Sequence, residues 1–320
     1  MRKQGDTAGP GLDSPRAWLG PLMVLGGGVC IGLAPIGLRL GLDTLGPQAI
    51  AFWRYTIATP ILLLILVTMT RRLPFRPNRF VIIAGICFAL DIGLWHWALE
   101  RTTVANATFI VNLGNISVGL MAWLFLRERP TALWGVAVAI AVAGAAFLSQ
   151  GGLPDGKTSL QGDLLALAAA FLVSGYMLAS SITRRQMSAI DAIFWLTAVE
   201  SAVAFCLVAV SGERFFPETL DGFRAPLFLA IAVQIAGQGL IIAGLGRTPA
   251  AIAGVLVLVQ PVTAAAISWQ MFDEALTLLQ GMGGLLILVG VFLAQRSGRV
   301  KVAPSQPVSE ASHSSVKGEV

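Results

Sequence analysis

Residues 99–148 read LERTTVANATFIVNLGNISVGLMAWLFLRERPTALWGVAVAIAVAGAAFL, and residues 245–294 read LGRTPAAIAGVLVLVQPVTAAAISWQMFDEALTLLQGMGGLLILVGVFLA. Laid over one another without a gap, they pair Leu99 with Leu245, Arg101 with Arg247, Thr102 with Thr248, Ala105 with Ala251, Ala107 with Ala253 and Val111 with Val257. The register continues through Trp123/Trp269, Glu128/Glu274, Thr131/Thr277, Leu133/Leu279, Gly135/Gly281 and Gly144/Gly290. Chance rarely aligns a Trp, a Glu and several Gly and Thr positions in one frame, so the chain repeats itself. A weaker match, at a slightly different offset, joins Gly20/Gly162, Leu22/Leu164, Leu25/Leu167, Phe52/Phe194 and Trp53/Trp195. The two halves therefore descend along one pattern.

Of the 320 residues, 56% are hydrophobic and only 12% are charged, which is far from the soluble average. Apolar runs of about 20 residues, the length that crosses a bilayer as a helix, recur between short polar connectors. They cover 18–38, 50–69, 80–99, 102–126 and 131–148, then 162–182, 192–210, 225–245, 250–272 and 276–294. Barrel strands would alternate over about ten residues, whereas these runs are longer and apolar on every side. Each half holds five segments, and because five is odd the second half enters the membrane from the opposite side. The expected architecture is an all-α integral membrane protein of ten transmembrane helices in two inverted five-helix repeats. The repeats span 18–149 and 162–295, with a connector at 150–161 and tails at 1–17 and 296–320.

A net charge of +5 and an isoelectric point near 9.6 do not indicate nucleic acid, because Lys and Arg lie at segment ends and form no basic face. Their distribution reports orientation instead. With a cytoplasmic N-terminus, the inner side receives Arg71, Arg72, Arg76, Arg79, Arg127, Arg129, Arg184, Arg185 and Arg247, together with the basic residues of both tails. The outer side receives only Arg39, Arg101, Lys157, Arg214 and Arg224. Both termini are thus expected in the cytoplasm and the chain in the inner (plasma) membrane. The first apolar run is too long for a signal-peptide core and lacks an A-x-A site, so it is expected to stay as an anchor. Cys30, Cys87 and Cys206 fall in apolar segments without metal-ligand spacing and read as small core residues, and the C-terminal tail reads as disordered.

Polar residues inside the apolar layer cost several kcal/mol unless they face water or a partner, so they are the candidate site. On the third segment, Asp91 and Trp95 are four apart and share a face, while His96 points elsewhere and reads as an interfacial residue. Asp91 either binds cargo or a proton in a cavity, or locks two helices. On the fourth segment, Thr108, Asn112, Asn115 and Gly119 draw one polar stripe, whose amides can orient a polar solute without the cost of burying an ion. The alternative is helix glue, worth about 0.6 kcal/mol per contact. The second half offers Gln234 and Gln238, four apart, and Gln260 beside Pro261, which frees a backbone carbonyl at a depth where only protein or a cavity can satisfy it. Glu200 is the other buried acid and, with Asp91, a candidate for coupling. Arg54 reads as an interfacial anchor that snorkels outward from the Phe52-Trp53 pair, or as an anion contact in the outer vestibule, and is grouped with the gate or structural residues. Arg101 and Arg247, with Glu128 and Glu274, occupy equivalent helix ends and read as gating or structural pairs. Gly28/Gly32 and Gly37/Gly41 have the small-xxx-small spacing of close helix contact.

The paired stretches ALERTTVANATFIVNLGNISVGLMAWLFLRERPT (98–131) and AGLGRTPAAIAGVLVLVQPVTAAAISWQMFDEALT (243–277) resemble the signatures of the drug/metabolite transporter superfamily, in its EamA-type branch. The resemblance covers roughly residues 16–295. It implies ten helices, a central cavity lined by helices three, four, eight and nine, and a small organic metabolite as cargo. Relatives also favour Arg at the position of Arg54. Two positions depart from the pattern: Asn115 replaces a frequent Pro in the fourth helix, and Gln260 stands where relatives often carry Glu before the Pro. The second departure weighs against proton coupling at Gln260.

These readings lead to a secondary transporter of a small polar or amphipathic metabolite, amino-acid-like or nucleotide-like, working by alternating access, with export favoured by the resemblance and import as the alternative. No cofactor or metal is expected, and the partners are the metabolite, protons as a coupling candidate, and membrane lipids. An ATP-driven machine would need a G-x-x-x-x-G-K-[ST] loop, which the sequence lacks. An intramembrane enzyme would need a nucleophile and base or a metal set, yet the two His are His96 and the tail residue His313, and no H-E-x-x-H or G-x-S-x-G occurs. A lipid scramblase or purely structural bundle would leak without regard to solute.

Overall fold

The structure, a computed structural model, describes residues 18–101, 104–126, 130–149, 160–272 and 277–297. All regular elements among them are helices. In chain order they are α1 (Leu19–Ile31), α2 (Ala34–Gly41), α3 (Pro47–Thr70), α4 (Arg79–Leu99), α5 (Val104–Leu126), α6 (Ala132–Ser149), α7 (Leu160–Gln186) and α8 (Ala189–Ser211). There follow a short 3₁₀ turn (Leu220–Phe223), α9 (Arg224–Phe228), a π-helical stretch (Leu229–Gln238), α10 (Gly239–Leu245), α11 (Ala250–Leu256), α12 (Val259–Phe272) and α13 (Leu278–Arg296).

Seven helical stretches among the described residues are long and apolar enough to cross a membrane, with 33–56% of their apolar windows buried inside the protein. The apolar stretches Ile110–Phe125, Ala132–Phe147 and Leu278–Ala294 are shorter. Large apolar side chains such as Leu64, Leu124, Phe171, Leu285 and Phe292 point outward, a surface that water would not tolerate and hydrocarbon does. The chain is a multi-pass membrane protein. The first apolar segment is broken between α1 and α2 at Gly32–Leu33, just ahead of Pro35, and the ninth is broken at Val257–Leu258, just ahead of Pro261. There Gln260 N donates to Val257 O at 3.0 Å, a tightened turn that occupies the carbonyl a helical residue 261 would have bonded.

Helix ends follow local chemistry. The Asn78 side chain caps α4 by accepting from Val81 N at 2.8 Å, and Thr277 and Gln280 form a reciprocal capping box on α13. Both α3 and α8 end on a left-handed residue, Arg71 at φ 56° and Gly212 at φ 72°. Glycine takes that conformation freely, so α8 stops there without strain.

Packing joins the two halves reciprocally. α6 and α13 run antiparallel at a close approach: a Cβ on Gly144 would lie 2.7 Å from Gly283 O and from Ile287 N, and one on Gly290 would lie 2.8 Å from Ala137 O and 3.0 Å from Ala141 N. Each contact is the counterpart of the other in the gapless register that pairs 144 with 290. α3 and α8 repeat this logic at their ends. Trp53 Nε1 donates to Phe215 O in the loop after α8, and Trp195 Nε1 donates to Phe75 O in the loop after α3, at 2.6 Å. At the first end Glu213 accepts from Gln48 N and Ala49 N at 3.2 and 2.9 Å. At the second, Arg72 grips Asp191 through both guanidinium nitrogens, at 2.9 and 2.6 Å. Burial raises the Glu213 carboxyl above its ordinary range, and the two backbone donors oppose that shift.

Candidate functional site

The centre of the bundle carries a polar cluster that the apolar helices enclose. α3 contributes Gln48, Arg54 and Tyr55, α4 contributes Asp91 and His96, α7 contributes Tyr176, α8 contributes Thr197 and Glu200, and the π-helical stretch contributes Gln234 and Gln238. Arg54 is 5% exposed, Asp91 3%, and Thr197, Glu200, Gln234 and Gln238 are fully buried.

Gln234 is the hub. Its Oε1 accepts from Arg54 Nε at 3.0 Å, and its Nε2 donates to Thr197 Oγ1 at 2.8 Å and Glu200 Oε2 at 2.6 Å. Gln238 Nε2 donates to the other carboxylate oxygen, Glu200 Oε1, at 2.7 Å. One amide therefore stands between the guanidinium and the carboxylate, and no direct ion pair of Arg54 occurs among the described residues. Gln234 and Gln238 are four apart and share one face of the helical stretch, so both amides reach one Glu. Gln48 Nε2 donates to Gly93 O at 3.0 Å, tying α3 to the turn that carries Asp91. The Phe88 and Tyr176 rings meet at 4.6 Å on the same side of α4.

Several groups in this cluster have no protein partner. Arg54 Nη2, Tyr55 Oη, Asp91 Oδ1, His96 Nδ1 and Gln238 Oε1 are buried and unbonded, and the buried Tyr176 hydroxyl faces the Gln238 amide. Natural structures bury such atoms rarely, because each costs about 1–3 kcal/mol and more when charged. Their concentration in one place makes the cluster the candidate site.

The sequence-predicted residues fall into three groups. Asp91, Glu200, Gln234 and Gln238 come together in the cluster. Trp95 and Gln260 stand apart from its hydrogen bonds: Trp95 packs against Ala98, Ala107 and Ala166, and Gln260, half-buried beside Pro261, places its carbonyl against Gly32 at the break between α1 and α2. Asn112 is buried on α5, whereas the side chains of Thr108 and Asn115 lie outside the described residues, as do Glu128 and Glu274. Arg101 and Arg247 are exposed; Arg101 donates to Trp97 O at 2.8 Å and pairs with Glu100.

Two expectations are corrected. Arg54 does not snorkel to the interface: α3 begins at Pro47, two turns earlier, and turns the guanidinium inward onto Gln234. His96 is likewise buried, not interfacial. Sequence reading passed over both tyrosines, Tyr55 and Tyr176, and these are the only two in the chain. Their scarcity, each inside an apolar run, was the available signal. A separate groove lined by Phe52, Thr56, Pro60, Ser201 and Phe205 opens on the outer side of the α3–α8 seam, away from the cluster.

Comparison with known proteins places this geometry in a family. The EamA-like transporter family matches residues 18–150 and again 160–295. The chain is 26% identical over 239 residues to the uncharacterized transporter YwfM of Bacillus subtilis, covering 73% of this chain and 77% of the relative. It is also 26% identical over 261 residues to the pseudopaline exporter CntI of Pseudomonas aeruginosa, covering 79% and 88% respectively. A solved crystal structure shares the fold at a TM-score of 0.73 with 20% identity, covering 86% of this chain and 98% of the other. The names of family and relatives indicate transport of small substrates, not enzymatic chemistry, and the chain belongs to the EamA-like transporter family.

Proposed function

We propose that this protein is a secondary carrier built from ten transmembrane helices in two oppositely inserted five-helix repeats. It passes a small polar or amphipathic metabolite across the inner membrane by alternating access, with both termini in the cytoplasm. The observation that carries this reading is the sealed polar cluster around Gln234, whose unpaired buried atoms make sense as contacts for a transient guest. The reciprocal α6–α13 and α3–α8 contacts support the inverted repeat. They join equivalent positions of the two halves across antiparallel pairs, the arrangement that lets the halves exchange conformations.

The α3–α8 ends suit gates. The Trp53 and Glu213 contacts close one end and the Trp195 and Asp191 contacts the other, so releasing one set at a time opens the cluster to one side. Asp91 and Glu200 are the coupling candidates, and the cargo's own gradient is the other energy source. Export is favoured over import because a relative over most of the chain is named an exporter. The test is counterflow of a cell metabolite extract in proteoliposomes. Solute-selective flux is expected in wild type, and Asp91→Asn is expected to abolish it while expression and monodispersity persist. Flux that ignores solute identity would point to a leak, and unchanged flux in Asp91→Asn and Gln260→Ala would remove the site.

A further inference from the structure

The geometry points to a docking site for the phosphate of an anionic membrane lipid, built on Arg184 and Arg247 where the turn between α10 and α11 meets the end of α7. It lies outside the central cluster and does not depend on which solute is carried. Arg184 Nε donates to Ile242 O of α10 at 2.9 Å, and its Nη1 donates to Met187 O just past α7, so the guanidinium is held in place from two sides. Its Nη2 lies against the turn: a Cβ on Gly246 would come within 2.7 Å of it. Arg247 follows directly, exposed, with Nη1 3.9 Å from Met23 Sδ of α1. The two arginines act electrostatically on each other, and among the described residues no carboxylate pairs with either. Like charges brought together repel, and a phosphate that accepts from both guanidinium groups relieves that repulsion.

The equivalent corner of the first half lacks this charge. The gapless register that pairs Arg101 with Arg247 also pairs Glu100 with Gly246. Arg101 meets Glu100 at 3.2 Å, so that corner is neutral. At the other end glycine stands in the place of the acid, and Arg184 brings a second cation to the same spot. Gly246 has φ −70°, a conformation open to any residue, so the backbone does not demand glycine there. The occupant is a lipid because surface suited to hydrocarbon adjoins the cations. A Cβ on Gly20 would lie 2.7 Å from Arg247 Cβ, which places Arg247 on the first turn of α1. That turn also carries Trp18 and Leu22, 50% and 56% exposed. Tryptophan and arginine together suit the headgroup layer, and Leu22 continues the contact toward the acyl chains. In the proposed orientation this is the cytoplasmic leaflet, whose lipid surface is negative.

The experiment uses the full-length purified protein in neutral detergent, titrated with phosphatidylglycerol, phosphatidylcholine or inorganic phosphate. Native mass spectrometry counts the retained lipid, and the unfolding midpoint is followed in parallel. Wild type is expected to prefer phosphatidylglycerol over phosphatidylcholine by about tenfold or more, with a matching rise in the midpoint. Arg247→Gln alters an exposed side chain and is expected to weaken retention about fivefold, the share of one arginine at a lipid surface. Gly246→Glu restores the acid found at position 100 and keeps both cations; it is expected to bring retention down to the phosphatidylcholine level. Arg101→Gln, at the equivalent corner, is expected to retain lipid as wild type does. Inorganic phosphate is expected neither to shift the midpoint nor to displace phosphatidylglycerol at equal concentration. No preference for phosphatidylglycerol, undiminished retention in Arg247→Gln or in Gly246→Glu, or displacement by inorganic phosphate would each overturn the site.

Discussion

Replacing Glu200 by leucine should cost more stability than replacing it by glutamine, because the hydrogen-bond directions around it are fixed by Arg54. Gln234 must present Oε1 to Arg54 Nε, so its Nε2 can only donate toward position 200. Gln238 is free to turn over, since its Oε1 is unbonded. In Glu200→Gln the new amide oxygen accepts from Gln234 Nε2, and the new amide nitrogen donates to a flipped Gln238 Oε1. Every bond is kept, so this variant loses only the counter-charge of the buried guanidinium. Glu200→Leu loses the same counter-charge and also leaves both glutamine Nε2 atoms without an acceptor. The two variants therefore differ by the two orphaned donors, about 1–3 kcal/mol each and not independent of one another. Reversible unfolding in mixed micelles would measure both variants. Equal stability of Glu200→Leu and wild type, or equal damage in the two variants, would refute the network as described.

The remaining predictions concern the seams. Gly144→Ala and Gly290→Ala should destabilise similarly, by about 1–3 kcal/mol, because each added Cβ meets backbone at 2.7–3.0 Å, whereas Gly135→Ala and Gly281→Ala, with nothing within 4 Å, should be neutral or gain up to about 1 kcal/mol in helix propensity. Unequal effects within either pair, measured by thermal unfolding, would contradict the reciprocal packing. Trp53→Phe and Trp195→Phe each remove one indole donor and should cost about 0.5–1.5 kcal/mol, with transport altered on opposite faces when assayed in oriented vesicles. Under the coupling assignment, uptake by Glu200→Gln should lose its dependence on a pH gradient while cargo binding persists. A gradient dependence equal to wild type would exclude Glu200 as the proton carrier.

Much of this arrangement was legible in the sequence. The register pairing Gly144 with Gly290 and Trp53 with Trp195 named equivalent positions, and apolar runs separated by Arg-rich connectors located the helices. What the register could not reveal is that equivalents meet each other: that Gly144 packs against 283–287 while Gly290 packs against 137–141 is a property of the assembled bundle. Pro261 announced the break at Val257–Leu258, but nothing local announced the π-helical stretch that carries Gln234 and Gln238. Arg54 shows the limit most clearly. Distance along the segment placed it near an interface, whereas its environment is set by Gln234, which lies 180 positions away and in the other half. Asp91 and Glu200 were recognisable as buried acids, yet only the geometry distinguishes the one with both oxygens bonded from the one with Oδ1 unbonded.

The central claim is that equivalent parts of the two halves face opposite sides of the membrane. It is tested most directly by cysteine labelling in a background lacking Cys30, Cys87 and Cys206, with single cysteines at Phe75 after α3 and at Phe216 after α8. A membrane-impermeant maleimide applied to intact cells is expected to label position 216 and to reach position 75 only after the membrane is opened. Labelling of both positions from the same side would contradict the account.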